Sequence, residues 1–229
     1  MKKFCSLMIL ALLLCIPSKT YGQEFSDIEE DHWAKAYIMS LSQEEIIAGY
    51  PDGTFRPDRY VSLLEALSII EKIKKPDQKE IQVALKHYGK LVDSYNISPW
   101  ARNAFAYALD KNIIYYSELA YSEKNGYLSD DPDLKGAYPK REDLAVYFAR
   151  ALELAPSYDH SNLQYKDLDQ IGSALGNDLE IADYLAALVD AKIFDPKGSE
   201  GYFEADRPFR RAELCKIADL SLKYLADNN

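Results

Sequence analysis

The segment Gly49–Glu65, GYPDGTFRPDRYVSLLE, constrains this chain more than any other, because it writes a turn, an extended strip and a helix start into seventeen residues. Tyr50-Pro51-Asp52-Gly53 places proline at the second turn position, where its fixed φ fits, and glycine at the fourth, the pattern of a type I turn. Thr54-Phe55-Arg56-Pro57-Asp58 then reads as extended, since Pro57 steers Arg56 away from the α region and removes one backbone donor. Ser62-Leu63-Leu64-Glu65 is a capping box: the hydroxyl accepts the Glu65 N–H and the carboxylate reaches back to the Ser62 N–H.

Apolar periodicity places helices on both sides of this strip. Trp33, Tyr37, Ile38 and Leu41 fall on one helical face ahead of Ile46-Ile47-Ala48, and Leu63, Leu64, Leu67, Ile70 and Ile73 form a second stripe that Pro76 stops. The order then returns. Trp100-Ala101 with Ala104, Phe105, Ala108 and Ile113-Ile114 matches the first helix at a constant spacing of 67 residues. A polar loop from Tyr115 to Ala137 follows, and Pro139–Asp143 leads into Leu144, Ala145, Phe148 and Leu152. A third copy opens at Tyr165-Lys166-Asp167, echoing Phe25-Ser26-Asp27, with Glu180 at the Trp position. Its apolar face comes from Ile181, Tyr184, Leu185 and Leu188, and Gly201–Arg207 answers Gly53–Arg59 ahead of Arg210-Arg211-Ala212-Glu213.

The predicted division is a signal peptide at 1–22 and repeats at 23–78, 79–157 and 158–229. Lys2 and Lys3 precede an apolar run, Phe4 to Ile16, which at 13 residues is too short to span a bilayer comfortably. Lipidation at Cys15 is disfavoured by the Leu directly before it. Cleavage after Gly22 removes three lysines and no acids, so the formal charge moves from −10 to −13. Such a chain does not bind nucleic acid through its overall field, and an anionic ligand must be held by a small basic cluster. Of the three cysteines only Cys215 remains, read as a half-buried thiol on a helix, so the fold depends on apolar cores without an internal disulfide.

The motifs Asp27, Trp33-Ala34, Ile46, Gly49–Pro57 and Ser62…Glu65 resemble the S-layer homology family, whose repeats run F-x-D, W-A, G-I-x-x-G-Y-P-D-G-T-F-R-P and T-R-A-E. The resemblance implies a mainly α fold: three helix-loop-helix repeats in a pseudo-threefold assembly around a central three-helix bundle. It also implies a secreted, non-catalytic, cell-envelope or cell-wall anchoring module. Its partner would be a cell-wall polysaccharide or peptidoglycan-linked glycan, in some members pyruvylated, bound in grooves between repeats. The alternative is an envelope scaffold that has traded part of its glycan binding for a protein partner through Leu63 and its acidic surface.

In the four-residue motif the first and fourth positions cap the helix, and the second faces solvent, where an arginine fork suits a carboxylate. The first repeat keeps Ser62 and Glu65 but has Leu63 for the arginine. The others keep Arg141 with Asp143 and Arg211 with Glu213, but put Lys140 and Arg210 at the cap. Ligand is therefore expected at Arg211 first and Arg141 second.

Further ligand candidates are Asp27 and Asp167, as sugar contacts or turn caps, and Gly49. Trp33 and Trp100 are read as core residues, with sugar stacking as the alternative. Ser129-Asp130-Asp131-Pro132-Asp133 lacks the ligand pattern of an EF-hand and is read as a solvated loop. His32, His87 and His160 lack metal spacing and are read as surface residues. Acidic pairs such as Glu29-Glu30 and Glu44-Glu45 sit in no evident apolar pocket that would set up general acid chemistry. Neither enzymatic activity, cofactor nor metal is expected, nor a membrane-spanning segment after signal cleavage.

Overall fold

A computed structural model describes residues 24–129, 137–172 and 180–228. The signal segment, Cys15 and Asp130, Asp131 and Asp133 lie outside these residues. The described residues form eight α-helices and almost no strand: α1 Lys35–Gln43, α2 Leu63–Lys74, α3 Gln78–Ser94, α4 Arg102–Asp110, α5 Tyr116–Lys124, α6 Arg141–Ala151, α7 Ile181–Asp190 and α8 Arg211–Asn228. The mainly α class read from the sequence is the class observed.

Helix α2 starts as its sequence dictates. The Glu65 N–H donates to Ser62 Oγ at 3.2 Å, and the Ser62 N–H donates to the Glu65 carboxylate at 3.0 Å. It ends at Lys75, in the left-handed region with φ 48°, just before Pro76. Two helices depart from the sequence reading. Helix α3 has a reciprocal capping box of its own, Asp77 with Glu80, whose signal lay in the unassigned stretch after Pro76. Helix α5 occupies the first part of the Tyr115–Ala137 stretch read as a polar loop. Its core contribution is only Leu119 and the buried Glu118 and Ser122, too few apolar residues to make a visible stripe.

The apolar faces join one continuous core. Helix α2 packs against α4, α6 and α8, while α3 lies on α4, α1 on α8 and α6 on α7. Cys215 is fully buried rather than half-buried, and burial pushes its thiol up to about 12. Cations from the later helix close the earlier helix exits. The Lys72 ammonium donates to the Glu45 and Ile46 carbonyls, and the Arg150 guanidinium donates to the Ile113 carbonyl at 3.3 Å. Both pair carbonyls of the exit turns that lie two or three residues beyond the helix ends. No described helix is long and apolar enough to cross a membrane.

The opening strip is held by a carboxylate. The Gly53 N–H closes the turn on the Tyr50 carbonyl at 3.0 Å, with Gly53 at φ 81°. Beyond it, Asp27 Oδ1 accepts the Phe55 N–H and Oδ2 accepts the Arg56 N–H, both at 2.7 Å. Arg56 is not extended: its φ is 59°, which turns two successive N–H groups towards one carboxylate. Proline at the next position excludes the right-handed helical region, and the Asp27 clamp selects among what remains. The arrangement recurs at Asp167, which accepts the Phe203 N–H at 2.9 Å and the Glu204 N–H at 2.8 Å, with Glu204 at φ 60°.

Gly49 is fixed by crowding rather than by φ. A Cβ there would stand 2.3 Å from the Phe25 ring and 2.8 Å from the Thr54 carbonyl oxygen. Gly49→Ala is therefore expected to destabilise the protein by about 1–3 kcal/mol, as other overpacked sites do, measured as a lower midpoint of chemical denaturation.

Candidate functional site

Two helix starts are docked on strips contributed by another part of the chain. The first N–H groups of α8, from Arg211 and Ala212, donate to the Arg59 and Pro57 carbonyls at 2.9 and 3.0 Å. Those of α6, from Arg141 and Glu142, donate to the Arg207 and Ala205 carbonyls at 2.9 and 3.2 Å. Donors that a helix start leaves unpaired are thereby satisfied across a junction. The same docking carries the side chains of Arg211 and Arg141 into two corresponding clefts.

Each cleft contains a glutamate shared by two arginines. In the first, Glu65 takes Arg59 and the Arg211 Nη1 at 3.4 Å, besides capping its own helix. In the second, Glu213 takes two bonds from Arg207, both at 2.8 Å, one from Arg141 at 2.9 Å and the Arg210 N–H at 2.9 Å. Neither Arg59 nor Arg207 stood among the candidates read from the sequence. Their common signal is an arginine three residues before the cap position.

The two motif arginines differ in what remains free. Arg211 is buried, not solvent-facing, with 6% of its surface exposed. Its Nε donates to the Phe55 carbonyl at 3.0 Å and its Nη2 to the Ala48 carbonyl at 2.9 Å, while the guanidinium lies over the Phe55 and Tyr50 rings. Arg141 has its Glu213 bond, the Phe209 ring 4.5 Å away and a buried Nε without a hydrogen-bond partner. It lines a cavity of about 410 Å³ with Trp33, Tyr165, Ser199, Glu213 and Lys216. Lys216 has no ion-pair partner among the described residues. Arg211 is thus bonded on three sides within the protein, whereas Arg141 keeps an unpartnered Nε beside the cavity.

The remaining candidates divide by environment. Trp33 and Trp100 are 56% and 53% exposed, so the core reading fails: each precedes its helix, and its ring leaves the buried stripe that α1 and α4 present. Trp33 stands at the cavity mouth, stacked on His32, whereas Trp100 is not part of that lining. Asp27 and Asp167 spend both carboxylate oxygens on backbone N–H groups of the strips. Gly49 packs against Phe25. Leu63 is fully buried and so presents no surface to a protein partner.

The third helix start inverts the electrostatics. At α6 the positions corresponding to the two arginines hold Ala137 and Leu63. Asp143 accepts the Lys140 N–H at 3.2 Å, and Lys140 itself offers no side-chain acceptor. Burial and the neighbouring Glu142 raise the Asp143 carboxyl to about 6 against the pull of Lys140. Burial would also raise Glu213, but the Arg207 bonds and the Arg141 charge outweigh it and hold that carboxyl at about 2.

Linkage gives the two acids opposite signs. Glu213 contributes stability that is present above about 4.5 and is lost as pH falls towards about 2, on the order of 3 kcal/mol. Asp143 binds its proton more tightly in the fold, so its ionisation removes stability as pH rises from about 4 to about 6. Glu213→Gln should lower the neutral-pH denaturation midpoint and flatten its acid limb. Asp143→Asn, which keeps an acceptor for the Lys140 N–H, should leave the midpoint unchanged or raise it at pH 7.

The S-layer homology domain model matches residues 24–67. The chain is 26% identical to Outer membrane protein alpha of Thermotoga maritima over 204 residues, which is 87% of this chain and 48% of that protein. It is 35% identical over 75 residues to Outer membrane protein SlpA of Thermus thermophilus, 32% of this chain and 8% of that one. It is 31% identical over 88 residues to a Cellulosome-anchoring protein of Acetivibrio thermocellus, 34% of this chain and 20% of the relative. The chain therefore spans less than half the length of each of these relatives. The matched segment holds the Asp27 clamp, the turn at Gly53 and the capped start of α2, and through it this chain carries an S-layer homology domain.

Proposed function

We propose that the protein anchors material at the cell envelope without catalysis, by holding a carboxylate-bearing glycan in the Arg141 cavity. The observation that carries this reading is the pairing, in one open cavity of about 410 Å³, of an incompletely bonded guanidinium, the unpaired ammonium of Lys216 and the exposed ring of Trp33. A guanidinium fork with spare N–H groups suits a carboxylate, and an indole face suits the apolar face of a sugar ring. The cluster is local, as a chain of net charge −10 before signal removal requires of any anion site.

The division into three repeats at 23–78, 79–157 and 158–229 is part of the same reading. Support comes from contacts that recur between the first and third segments: the Asp27 and Asp167 clamps and the Glu65 and Glu213 arginine pairs. The names of two relatives, an outer membrane protein and a cellulosome-anchoring protein, agree with an envelope role. A pyruvate ketal is one chemistry that would supply the carboxylate.

Co-sedimentation with purified wall glycan tests the proposal. Binding is expected to the native polymer, to fall at least about tenfold once its carboxylates are removed or reduced, and to fall similarly in Arg141→Ala, consistent with losing a charge-assisted contact. Equal binding of the wild type to the native and carboxylate-free polymer would count against it.

A further inference from the structure

The two arginine clefts share their framework, yet one guanidinium is locked and the other is not. The lock on Arg211 is the Ala48 carbonyl, which accepts its Nη2 at 2.9 Å, together with the Phe55 carbonyl at its Nε. The corresponding carbonyls beside Arg141 belong to Asp195 and Phe203. The correspondence rests on matching helix exits: the Ile46 and Ile47 N–H groups both return to the Leu41 carbonyl, and those of Ile193 and Phe194 both return to the Leu188 carbonyl.

The Asp195 carbonyl is already occupied. The Gly198 N–H donates to that oxygen at 3.2 Å and the Tyr165 hydroxyl at 2.8 Å, so both of its lone pairs are taken. The equivalent residue in the first segment is Phe25, which packs on Phe55 with ring centroids 5.2 Å apart, much as Tyr165 packs on Phe203 at 5.5 Å. The rings therefore do the same packing, but only Tyr165 carries a hydroxyl to reach the carbonyl; the clefts differ also in the Tyr50 ring over Arg211 and the Phe209 ring beside Arg141. A further donor reaching the Asp195 carbonyl would have to approach around the phenol oxygen. Arg141 makes no bond to the Asp195 carbonyl and keeps its bond to Glu213, and its Nε has no partner where the Nε of Arg211 is bonded.

We propose that Tyr165 is a positioning residue that keeps the Arg141 cavity open: by holding the Asp195 carbonyl it denies Arg141 the anchor that locks Arg211, leaving the guanidinium for a ligand carboxylate. The last clause rests on the reading of this cavity as the glycan site, whereas the positioning does not. The phenylalanine-to-tyrosine difference is thus one of the contacts that set which of the two clefts accepts an anion.

The test uses the full mature chain with ¹⁵N-arginine, observing the guanidinium Nη–H and Nε–H resonances, and methyl β-D-glucuronide as the probe. In Tyr165→Phe an Arg141 Nη–H is expected to shift downfield and exchange more slowly as it bonds to the freed lone pair of the Asp195 carbonyl, and probe affinity to fall about tenfold. Phe25→Tyr is expected to move the Arg211 resonance in the opposite sense, which keeps the idea testable if the first variant folds poorly. Unchanged Arg141 and Arg211 resonances in the two variants overturn the proposal. If the resonances move as stated but the wild type does not bind the glucuronide, the positioning stands and the assigned ligand class falls.

Discussion

The shared carboxylate at the start of a helix is the interaction on which the rest of this structure depends. Glu65 and Glu213 each close their own helix start through a backbone N–H and at the same time hold an arginine from the preceding strip and another from a helix docked across the junction. A local capping motif becomes a tertiary joint this way. Charge-assisted bonds are stronger than neutral ones, and several converging on one carboxylate overcome the cost of burying it. The depressed carboxyl of Glu213 shows which effect wins in the second cleft.

Function follows from how completely each joint is satisfied. Where Arg211 meets two carbonyls and a glutamate, the guanidinium is spent on holding segments together. Where Tyr165 has taken the corresponding Asp195 carbonyl, Arg141 keeps a buried, unpartnered Nε beside the cavity. Where both arginines are absent, at Asp143, the same position carries a carboxyl raised by burial. One framework thus yields a staple, a candidate binding site and a proton-binding position through substitutions at a few contact points.

Much of this was legible in order and spacing. The turn at Gly53, the capped start of α2, the apolar stripes of α1, α2, α4 and α7 and the mainly α class all follow from local chemistry that acts within a few residues. Helix α3 was equally legible in the Asp77–Glu80 box, although α5, with its sparse apolar face, was not. Conversely, the left-handed φ of Arg56 could not be read from Pro57 alone, because it answers to a carboxylate that lies far back in the chain.

The sequence by itself determined which residue types stand at the helix starts: leucine at 63, arginine at 141 and 211, acids at 65, 143 and 213. It did so because capping, turn formation and amphipathic periodicity are short-range. Only the tertiary structure decided which arginine is available. Availability depends on the carbonyls and phenol that segments remote in sequence bring to each guanidinium, and on Trp33 reaching the cavity mouth from outside its helix. Those neighbours are set by docking across junctions, so an arginine at the same motif position in two places acquires two different chemistries.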